Sequence, residues 1–174
     1  MILWLYGRSG AGKTTLAVKL EDALRARGLH AFLLDGDLLR AGLCSDLGFG
    51  EDARTENHRR AAEMAKLIAA RNIVVIAATM APQYAQRDAI HNTLGDTARW
   101  VYVDAPFEIC AQRDPKGLYA KAAAGEIKKF NNFPFDPPRT SEVDLHLHTD
   151  HKSIDQTFTD LLTYALSQTT NPQI

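Results

Sequence analysis

The sequence predicts an α/β fold, in which a five-stranded parallel sheet carries helices on both of its faces. Three observations indicate this architecture. Short apolar runs alternate along the chain with longer segments whose apolar residues recur at helical spacing. The run at residues 73–78 is apolar throughout, which is typical of a parallel strand that is covered on both sides. A glycine-rich turn separates the first apolar run from the first helical segment.

The first half of the chain is predicted to alternate strand and helix. Residues 2–6 are an apolar run that ends at a glycine, and they are predicted to form the first strand. Leu16, Leu20 and Leu24 have helical spacing and are followed by Gly28, which is typical of a helix end. By the same criteria, a strand is predicted at 31–34, a long helix at 56–71 and a strand at 73–78.

The second half continues this alternation. It is predicted to contain a helix at 83–94, a strand at 99–103, short helices at 108–113 and 119–125, a strand at 143–148 and a helix at 153–167. Residues 128–139 hold three prolines and two adjacent asparagines, so a loop is predicted there. We find no repeat, low-complexity tract or linker, and therefore expect a single domain over residues 1–174.

The composition is that of an ordinary globular protein. Of 174 residues, 45% are hydrophobic and 24% are charged, and the formal net charge is -1. This balance gives no overall attraction to nucleic acid or to an anionic membrane. No apolar run approaches the ~20 residues that span a bilayer, and no basic leader precedes the first strand. With two cysteines in dissimilar surroundings, we expect no disulfide and a cytoplasmic location.

Residues 7–14 match the phosphate-binding Walker A pattern at every fixed position, between a predicted strand and a predicted helix. Glycines let successive backbone N–H groups point at phosphate oxygens, and the helix N-terminus adds a positive dipole. Lys13 is predicted to reach the β- and γ-phosphates of ATP and Thr14 to ligate Mg²⁺. A chance glycine-rich turn is the alternative interpretation. The motif predicts the P-loop NTPase fold, with nucleotide bound by Gly7, Ser9, Gly10, Ala11, Gly12, Lys13, Thr14 and Thr15.

The rest of the sequence narrows the class of P-loop protein. A small GTPase carries an Asn-Lys-x-Asp motif for guanine, and this chain has none. A motor needs a coupled mechanical domain, for which 174 residues leave no room. A kinase for a small molecule fits best, because the remaining chain matches the size of a substrate cleft and a lid.

Two carboxylates follow the second predicted strand. Ligands of parallel sheets bind beyond the carboxyl ends of the strands, which is where Asp35 and Asp37 fall. One carboxylate is predicted to hold Mg²⁺ through water, and the other to accept the proton of the attacking hydroxyl. The sequence leaves open which of the two is the base. The alternative interpretation is that the pair caps and solvates a turn.

Basic and aromatic residues lie between the acidic pair and the long helix. Arg40 and Arg54 can clamp an anionic group, Phe49 offers a flat face to a base, and Asn57 can pair with a base edge or a hydroxyl. Each of these residues, taken singly, is more often part of a surface or a core. Arg59 and Arg60 are predicted to lie on a solvated helix face.

The chain resembles the adenylylsulfate kinases, which phosphorylate the ribose 3′-hydroxyl of adenosine 5′-phosphosulfate. The resemblance rests on an ordered set of segments from the phosphate loop to the last predicted strand. These are residues 34–37 with Arg40, 46–49, Arg54 with Asn57, 113–119 and 125–128. Phosphate loops occur in many families, whereas this ordered set is specific.

The resemblance implies how the site is divided. Arg40, Arg54 and Asn57 are implied to contact the acceptor nucleotide together with Asp37 and Lys128, and Phe49 and Phe130 to stack on its base. Arg113 and Lys116 are implied to belong to a lid at about 113–139 that closes over ATP, with Lys13, Asp35 and Asp37 as catalytic residues. Such a lid excludes water, which favours transfer to the ribose over hydrolysis. The resemblance also implies a homodimer, although the sequence alone identifies no interface.

The sequence departs from the family pattern at several places. Leu38 stands where the family usually has asparagine, and Ala81 where a serine commonly precedes the proline. The largest departure is the segment 130–139, which differs where acceptor identity would be recognised, and whose Phe133 and Phe135 could reshape the base pocket. The related cytidine diphosphoramidate kinases therefore provide a second hypothesis, with another nucleotide conjugate as acceptor. A non-catalytic ATP sensor is a third.

Other notable residues are interpreted without a functional role. His146, His148 and His151 suggest a zinc site, but no cysteine or carboxylate with ligand spacing accompanies them. We predict that they occupy exposed positions on an edge strand and its turn. Cys110, Trp4 and Trp100 are predicted to pack in the core or an interface, whereas Cys44 lies in the acceptor region, where its reactivity stays open.

Overall fold

The structure is a computed structural model and describes residues 1–127 and 135–169. Within these residues, one parallel sheet has the strand order β2-β3-β1-β4-β5. Its strands are β1 (Ile2–Tyr6), β2 (Ala31–Asp35), β3 (Val74–Thr79), β4 (Ala98–Asp104) and β5 (Leu145–His148). The predicted five-stranded parallel sheet is confirmed, and the first strand along the chain lies at its centre.

Seven helices surround the sheet in the described parts of the chain. They are α1 (Lys13–Arg25), α2 (Gly36–Ala41), α3 (Glu51–Ala69), α4 (Tyr84–Leu94), α5 (Phe107–Arg113), α6 (Leu118–Ala123) and α7 (Ile154–Thr169). Two short 3-10 turns occur at Gly95–Thr97 and Thr140–Glu142. Helix α3 begins at Glu51 rather than at residue 56, because Glu51 and Asp52 favour a first helical turn. Helix α2 was not predicted, since its six residues are too few to show helical periodicity.

The two faces of the sheet bury separate apolar clusters. Successive side chains of a strand point to opposite faces. In β1, Leu3 and Leu5 therefore join a cluster with α1 and α7, whereas Trp4 and Tyr6 join a second cluster with α3 and α4. A fully buried leucine such as Leu5 contributes about 1.5–3 kcal/mol to stability. Helices on both faces thus hold the sheet and fix the carboxyl ends of its strands.

The cysteines and tryptophans behave largely as predicted. Cys44 and Cys110 are both free and buried, which confirms that they form no disulfide. Cys110, Trp4 and Trp100 lie in the two core clusters, so their predicted core positions are confirmed. Burial raises the pKa of the Cys44 thiol, which disfavours the reactive thiolate form. In the described residues, no helix has the length and apolarity needed to cross a membrane.

A buried arginine anchors the segment that precedes β5. Arg87 in α4 is fully buried, and its Nε donates to Glu142 Oε2 at 2.9 Å. Its two terminal nitrogens donate to the carbonyl oxygens of Ala81 at 2.9 Å and of Asp136 at 3.1 Å. Charge-assisted bonds of this kind satisfy a guanidinium that water does not reach. Arg87 therefore holds the described residues from Asp136 to Glu142 against α4, near the carboxyl ends of the strands, where the candidate site lies.

Candidate active site

The phosphate loop is folded tightly between β1 and α1. Gly7, Gly10 and Gly12 have positive φ angles of 150°, 81° and 98°. A Cβ atom on Gly10 would lie 2.6 Å from the carbonyl oxygen of Cys110, and one on Gly7 would lie 2.1 Å from that of Val103. Only glycine fits such close approaches to other backbone. The loop is thus shaped both by its own sequence and by contact with the ends of β4 and α5.

The ammonium of Lys13 lies over this loop. Its Nζ donates to the carbonyl oxygens of Gly7 at 2.9 Å and of Arg8 at 2.7 Å. Burial and, to a smaller extent, the nearby positive charge of Lys116 together lower the pKa of Lys13 to about 8. The Lys13 ammonium is shielded from water and hydrogen-bonded to two uncharged carbonyl groups in this loop, so it is well suited to bind phosphate oxygens.

Asp35 joins the P-loop helix to α2. Its Oδ2 accepts a hydrogen bond from Thr14 Oγ1 at 3.1 Å, and its Oδ1 accepts one from the backbone N–H of Asp37 at 2.8 Å. The second bond caps α2 at its N-terminus. The structure brings Asp35 next to Thr14 of the phosphate loop, and the capping role named as the alternative interpretation is present as well. Asp35 performs both tasks with one oxygen each.

Asp37 differs from Asp35 in exposure and in its partner. Asp35 is buried at 8% exposure, whereas the side chain of Asp37 is 67% exposed. Asp37 Oδ2 forms an ion pair with Lys116 Nζ. Lys116 therefore lies near both Lys13 and the second carboxylate, and the three charged side chains converge at the mouth of the phosphate loop.

The segment between α5 and α6 lies directly on the phosphate loop. Arg113 Nη1 donates to the carbonyl oxygen of Gly10 at 3.3 Å, and Tyr119 Oη donates to that of Ser9 at 2.8 Å. The Asp114 carboxylate accepts hydrogen bonds from two N–H groups at the start of α6, which fixes the turn that carries Lys116. The structure thus brings the predicted lid residues Arg113 and Lys116 to the nucleotide loop.

The basic and aromatic residues assigned to the acceptor also lie together. The Phe49 ring is 69% exposed and has the guanidinium carbons of Arg40 and Arg54 at 5.1 Å and 5.9 Å from its centroid. Arg54 Nε donates to the Phe49 carbonyl oxygen at 2.8 Å, and Arg40 Nη1 donates to that of Gly48 at 2.7 Å. Burial lowers the pKa of both arginines, and repulsion from Arg40 lowers that of Arg54 further. Two adjacent cations beside an exposed ring suit an anion attached to an aromatic base.

Asn57 lies one helical turn beyond Arg54 in α3. It is buried, and its Oδ1 has no hydrogen-bond partner in the described part of the chain. A buried amide oxygen without a partner costs free energy, so it marks a position where a ligand can donate a hydrogen bond. The other predicted acceptor residues, Lys128 and Phe130, and the aromatic Phe133 lie outside the described residues.

Arg60 contacts a neighbouring loop and is only partly exposed, whereas it was predicted to lie on a solvated helix face. Its two terminal nitrogens donate to the Asp46 carboxylate at 2.7 Å and 2.9 Å, and Nη1 also donates to the Leu43 carbonyl oxygen at 3.1 Å. This clamp holds the loop that leads to Phe49 against α3. Arg59, by contrast, pairs with Glu56 on its own helix and is exposed, as predicted.

Two further residues border the site without having been singled out. Thr149, just after β5, donates through Oγ1 to the Ala11 carbonyl oxygen at 2.9 Å and accepts from Arg113 Nη1 at 3.1 Å. The Arg8 guanidinium lies 5.0 Å from the centroid of the Phe135 ring. A single threonine far from the motif gives no sequence signal, whereas Arg8 is a variable position inside the motif.

Three histidines, His146, His148 and His151, are exposed and lie on the edge strand β5 and the turn that follows it, as predicted. The prediction that no carboxylate accompanies them is wrong. Asp104, at the end of the neighbouring strand β4, places Oδ2 at 3.0 Å from His146 Nε2. Sequence spacing did not reveal this contact because pairing of the strands, rather than proximity along the chain, brings the residues together.

Comparisons with known proteins find similar sequences and structures over most of the chain. Residues 1–146 match the family model described as adenylylsulphate kinase. The adenylyl-sulfate kinase of Aeromonas salmonicida is 46% identical over 166 residues, covering 94% of this chain and 84% of that protein. That of Shewanella amazonensis is 46% identical over 169 residues, covering 95% and 84%.

Solved structures show the same fold. The APS kinase CysC of Mycobacterium tuberculosis, in complex with AMPPNP and APS, matches with a TM-score of 0.86 and 37% identity, covering 95% of this chain and 96% of that one. Shikimate kinase from Acinetobacter baumannii matches with a TM-score of 0.56 at 18% identity, covering 96% and 93%, which is a likeness of fold alone. The predicted P-loop kinase fold is confirmed.

Proposed function

Because the chain belongs to the adenylylsulfate kinase family, we propose that it transfers the γ-phosphoryl group of ATP to the ribose 3′-hydroxyl of adenosine 5′-phosphosulfate. The observation that carries the proposal is the continuity of one short segment, residues 35–40. It begins at Asp35, bonded to the phosphate-loop residue Thr14, and ends at Arg40, which lies over the exposed Phe49 ring. A donor phosphate and an acceptor nucleotide bound at its two ends would meet at Asp37.

The donor half of the site is suited to ATP. The phosphate loop and Lys13 would bind the β- and γ-phosphates, with Gly7, Ser9, Gly10, Ala11, Gly12, Thr14 and Thr15 as the remaining loop contacts. Arg113 and Lys116 would cover the nucleotide as part of a lid at about 113–139 of a single kinase domain. Neutralising the phosphate charge in a site shielded from water lowers the barrier to transfer.

Thr14 and Asp35 fit a magnesium ion. Mg²⁺ takes hard oxygen ligands, and the hydroxyl of Thr14 and the carboxylate of Asp35 supply two that lie 3.1 Å apart. They would hold the ion directly or through water. When bound, it would neutralise charge on the transferring phosphate.

Asp37 is the better candidate for the base. Both oxygens of Asp35 already accept hydrogen bonds, whereas Asp37 is exposed and pairs with a lysine. In the proposed step, the 3′-oxygen forms a bond to the γ-phosphorus and its proton passes to the Asp37 carboxylate. The bond from the γ-phosphorus to the β,γ-bridging oxygen breaks, and that electron pair leaves with ADP. Lys116, beside both groups, would stabilise the charge that develops on the phosphate.

The acceptor half would hold the sulfated nucleotide through charge and stacking. Arg40 and Arg54 would bind its phosphosulfate group, Phe49 would stack on the adenine, and Asn57 Oδ1 would accept a hydrogen bond from it. Lys128 and Phe130 stay predictions for the same half. A homodimer and a cytoplasmic location complete the proposal, and light scattering at several concentrations would test the former.

The proposal is tested by incubating the purified chain with Mg-ATP and adenosine 5′-phosphosulfate and resolving the products by phosphorus NMR. A new 3′-phosphate monoester signal, formed in step with ADP, is the expected result. A parallel reaction contains cytidine diphosphoramidate in place of the sulfated nucleotide. If cytidine diphosphoramidate is phosphorylated and adenosine 5′-phosphosulfate is not, the cytidine compound is the acceptor and the proposed acceptor is wrong. ATP binding without turnover of either nucleotide would support the sensor hypothesis instead.

A further inference from the structure

The pairing of β4 with β5 gathers four polar side chains on one face of the sheet. The two strands are parallel, with Tyr102 opposite His146 and Asp104 opposite His148. Because side chains alternate along a strand, residues two apart share a face. All four therefore lie on the same side, at the carboxyl edge of the sheet and away from the magnesium candidates Thr14 and Asp35.

Three of these side chains have the donor atoms and separations of a metal site. Asp104 Oδ2 lies 3.0 Å from His146 Nε2 and 3.8 Å from His148 Nδ1, and the three ligand atoms are all within 4.8 Å of one another. Ligands bound tetrahedrally to zinc at about 2.0–2.1 Å are about 3.3 Å apart. Small side-chain rotations would thus bring the three atoms around one ion.

A fourth residue holds the carboxylate in place. Tyr102 Oη donates to Asp104 Oδ1 at 3.0 Å, which leaves Oδ2 turned to the two imidazoles. The Tyr102 ring also packs against His146, with centroids 4.9 Å apart. Metal sites generally have such outer partners, which orient the ligands before the ion binds.

We propose that Asp104, His146 and His148 bind one divalent transition-metal ion of the zinc type, with water completing its coordination. Two imidazole nitrogens and one carboxylate oxygen favour zinc, and also nickel, copper or cobalt, over magnesium. The exposure of both histidines leaves the ion open to solvent.

The position of this site links it to the nucleotide loop. Thr149 follows His148 directly, and its backbone N–H donates to the Asp104 carbonyl oxygen at 2.9 Å. Its hydroxyl donates to the Ala11 carbonyl oxygen in the phosphate loop. An ion held by Asp104 and His148 would join the end of β5 to the end of β4 next to Thr149. It would thereby restrict the motion of Thr149, which supports the phosphate loop at Ala11. The proposal does not depend on which acceptor the enzyme uses.

The first test measures zinc binding by the full chain. The protein is treated with a chelator, returned to millimolar Mg²⁺ to occupy oxygen-ligand sites, and titrated with Zn²⁺ against a chromophoric zinc indicator. One equivalent is expected to bind, and His148→Ala and His146→Ala are each expected to weaken binding by more than about tenfold to 100-fold, which is the loss that follows removal of an outer partner alone. His30→Gln and His91→Gln, which alter exposed histidines elsewhere, serve as matched controls. Equal loss in the controls would overturn the proposal.

A second test reports the ligand geometry. Co²⁺ in place of Zn²⁺ is expected to give the intense visible absorption of a four-coordinate nitrogen and oxygen site, which His148→Ala abolishes. Zn²⁺ at about 100 times the parent's dissociation constant is expected to raise the midpoint of thermal unfolding by about 5 °C in the parent chain, and by much less in His148→Ala at the same concentration. Since His148 is exposed, this variant should fold normally, as circular dichroism would verify. Weak octahedral absorption, or an unchanged spectrum in His148→Ala, would refute the assignment.

Discussion

Lys116 and Asp37 form an ion pair across the mouth of the candidate site, although they are 79 positions apart in the sequence. Lys116 belongs to the turn between α5 and α6, whereas Asp37 lies in the first turn of α2. The pair joins the segment over the nucleotide loop to the carboxylate proposed as base. This ion pair therefore links the position of that segment to the environment of the proposed base.

We expect Asp37→Asn to reduce kcat by about 10²–10⁴-fold, because the variant lacks the group that accepts the hydroxyl proton. The affinity for ATP should change little, since the ion-pair partner of Asp37 is Lys116 rather than a residue of the phosphate loop. Measuring kcat by ADP release and ATP binding by calorimetry separates the two effects. A kcat within a factor of three of the parent would remove Asp37 from the role of base.

Lys116→Ala should make transfer less efficient without preventing ATP binding. The lost ammonium would weaken stabilisation of the transferring phosphate and free Asp37 from its partner. We expect kcat to fall by about 10²-fold and ATP hydrolysis in the absence of acceptor to rise relative to transfer. Lys121→Ala, in the neighbouring helix α6 and exposed, is the matched control and should leave both rates unchanged.

The pH dependence of ATP use should reveal Lys13. Its pKa is lowered to about 8 by burial, so the free enzyme loses this positive charge as the pH rises through that value. The charged form binds phosphate, and kcat/KM for ATP should therefore decline above about pH 8, since this ratio reports groups of the free enzyme. Arginine stays protonated throughout this range. The residual kcat/KM of Lys13→Arg should thus show no decline above about pH 8. If the variant shows the same decline as the parent, deprotonation of Lys13 is not the cause.

Arg60→Ala should weaken acceptor binding although Arg60 is placed in contact with no substrate. Removing its clamp on Asp46 releases the loop that carries Phe49. A loss of about 1 kcal/mol corresponds to about a fivefold rise in KM for the sulfated nucleotide, with kcat little changed. Arg59→Ala is the matched control, because within residues 1–127 and 135–169 Arg59 pairs only with glutamates of its own helix. Equal KM values for both variants would contradict a positioning role.

Glu142→Gln should destabilise the fold because it leaves the fully buried Arg87 charge without its carboxylate partner. Breaking a buried pair on one side costs about 3–5 kcal/mol. The exposed pair between Lys152 and Asp160 provides a contrast, and Lys152→Ala should cost at most about 1 kcal/mol. Urea denaturation followed by circular dichroism gives both free energies of unfolding. Equal losses would show that Arg87 gains solvent or another partner in the variant.

The parts of the structure that the sequence predicted are those encoded by neighbouring residues. The P-loop is eight consecutive residues with a fixed pattern, and the five strands and longer helices have their own periodicity. Asp35 was predicted to lie beyond the carboxyl end of its strand, and the phosphate loop follows another strand of the same parallel sheet, so the two meet at one end of the sheet. Phe49 and Arg54 lie close in sequence and remain close in space.

Contacts between segments that are far apart in the sequence could not be predicted from local sequence patterns. Asp104 and His146 are 42 positions apart and meet only through the register of β4 and β5. Arg60 was predicted to lie on a solvated face because helical periodicity shows only which side chains of a helix point away from the core. It does not show which of those side chains contact a neighbouring loop. The pairing of Arg87 with Glu142 likewise has no local pattern. Strand register and helix packing decide these contacts, and neither is visible in a single sequence.

The hydrogen bond from Thr149 to the Ala11 carbonyl has a consequence for the synthesis of the chain. The phosphate loop precedes β4, α5 and β5 in the order of synthesis, yet its backbone is supported by residues of β4 and α5 and by Thr149 after β5. β1 itself has both of its neighbours, β3 and β4, much later in the sequence. A nascent chain thus carries the complete motif long before it has a structured loop. ATP would bind only after β5 has been made, so the nucleotide can stabilise the assembled sheet but cannot guide the earlier stages of its folding.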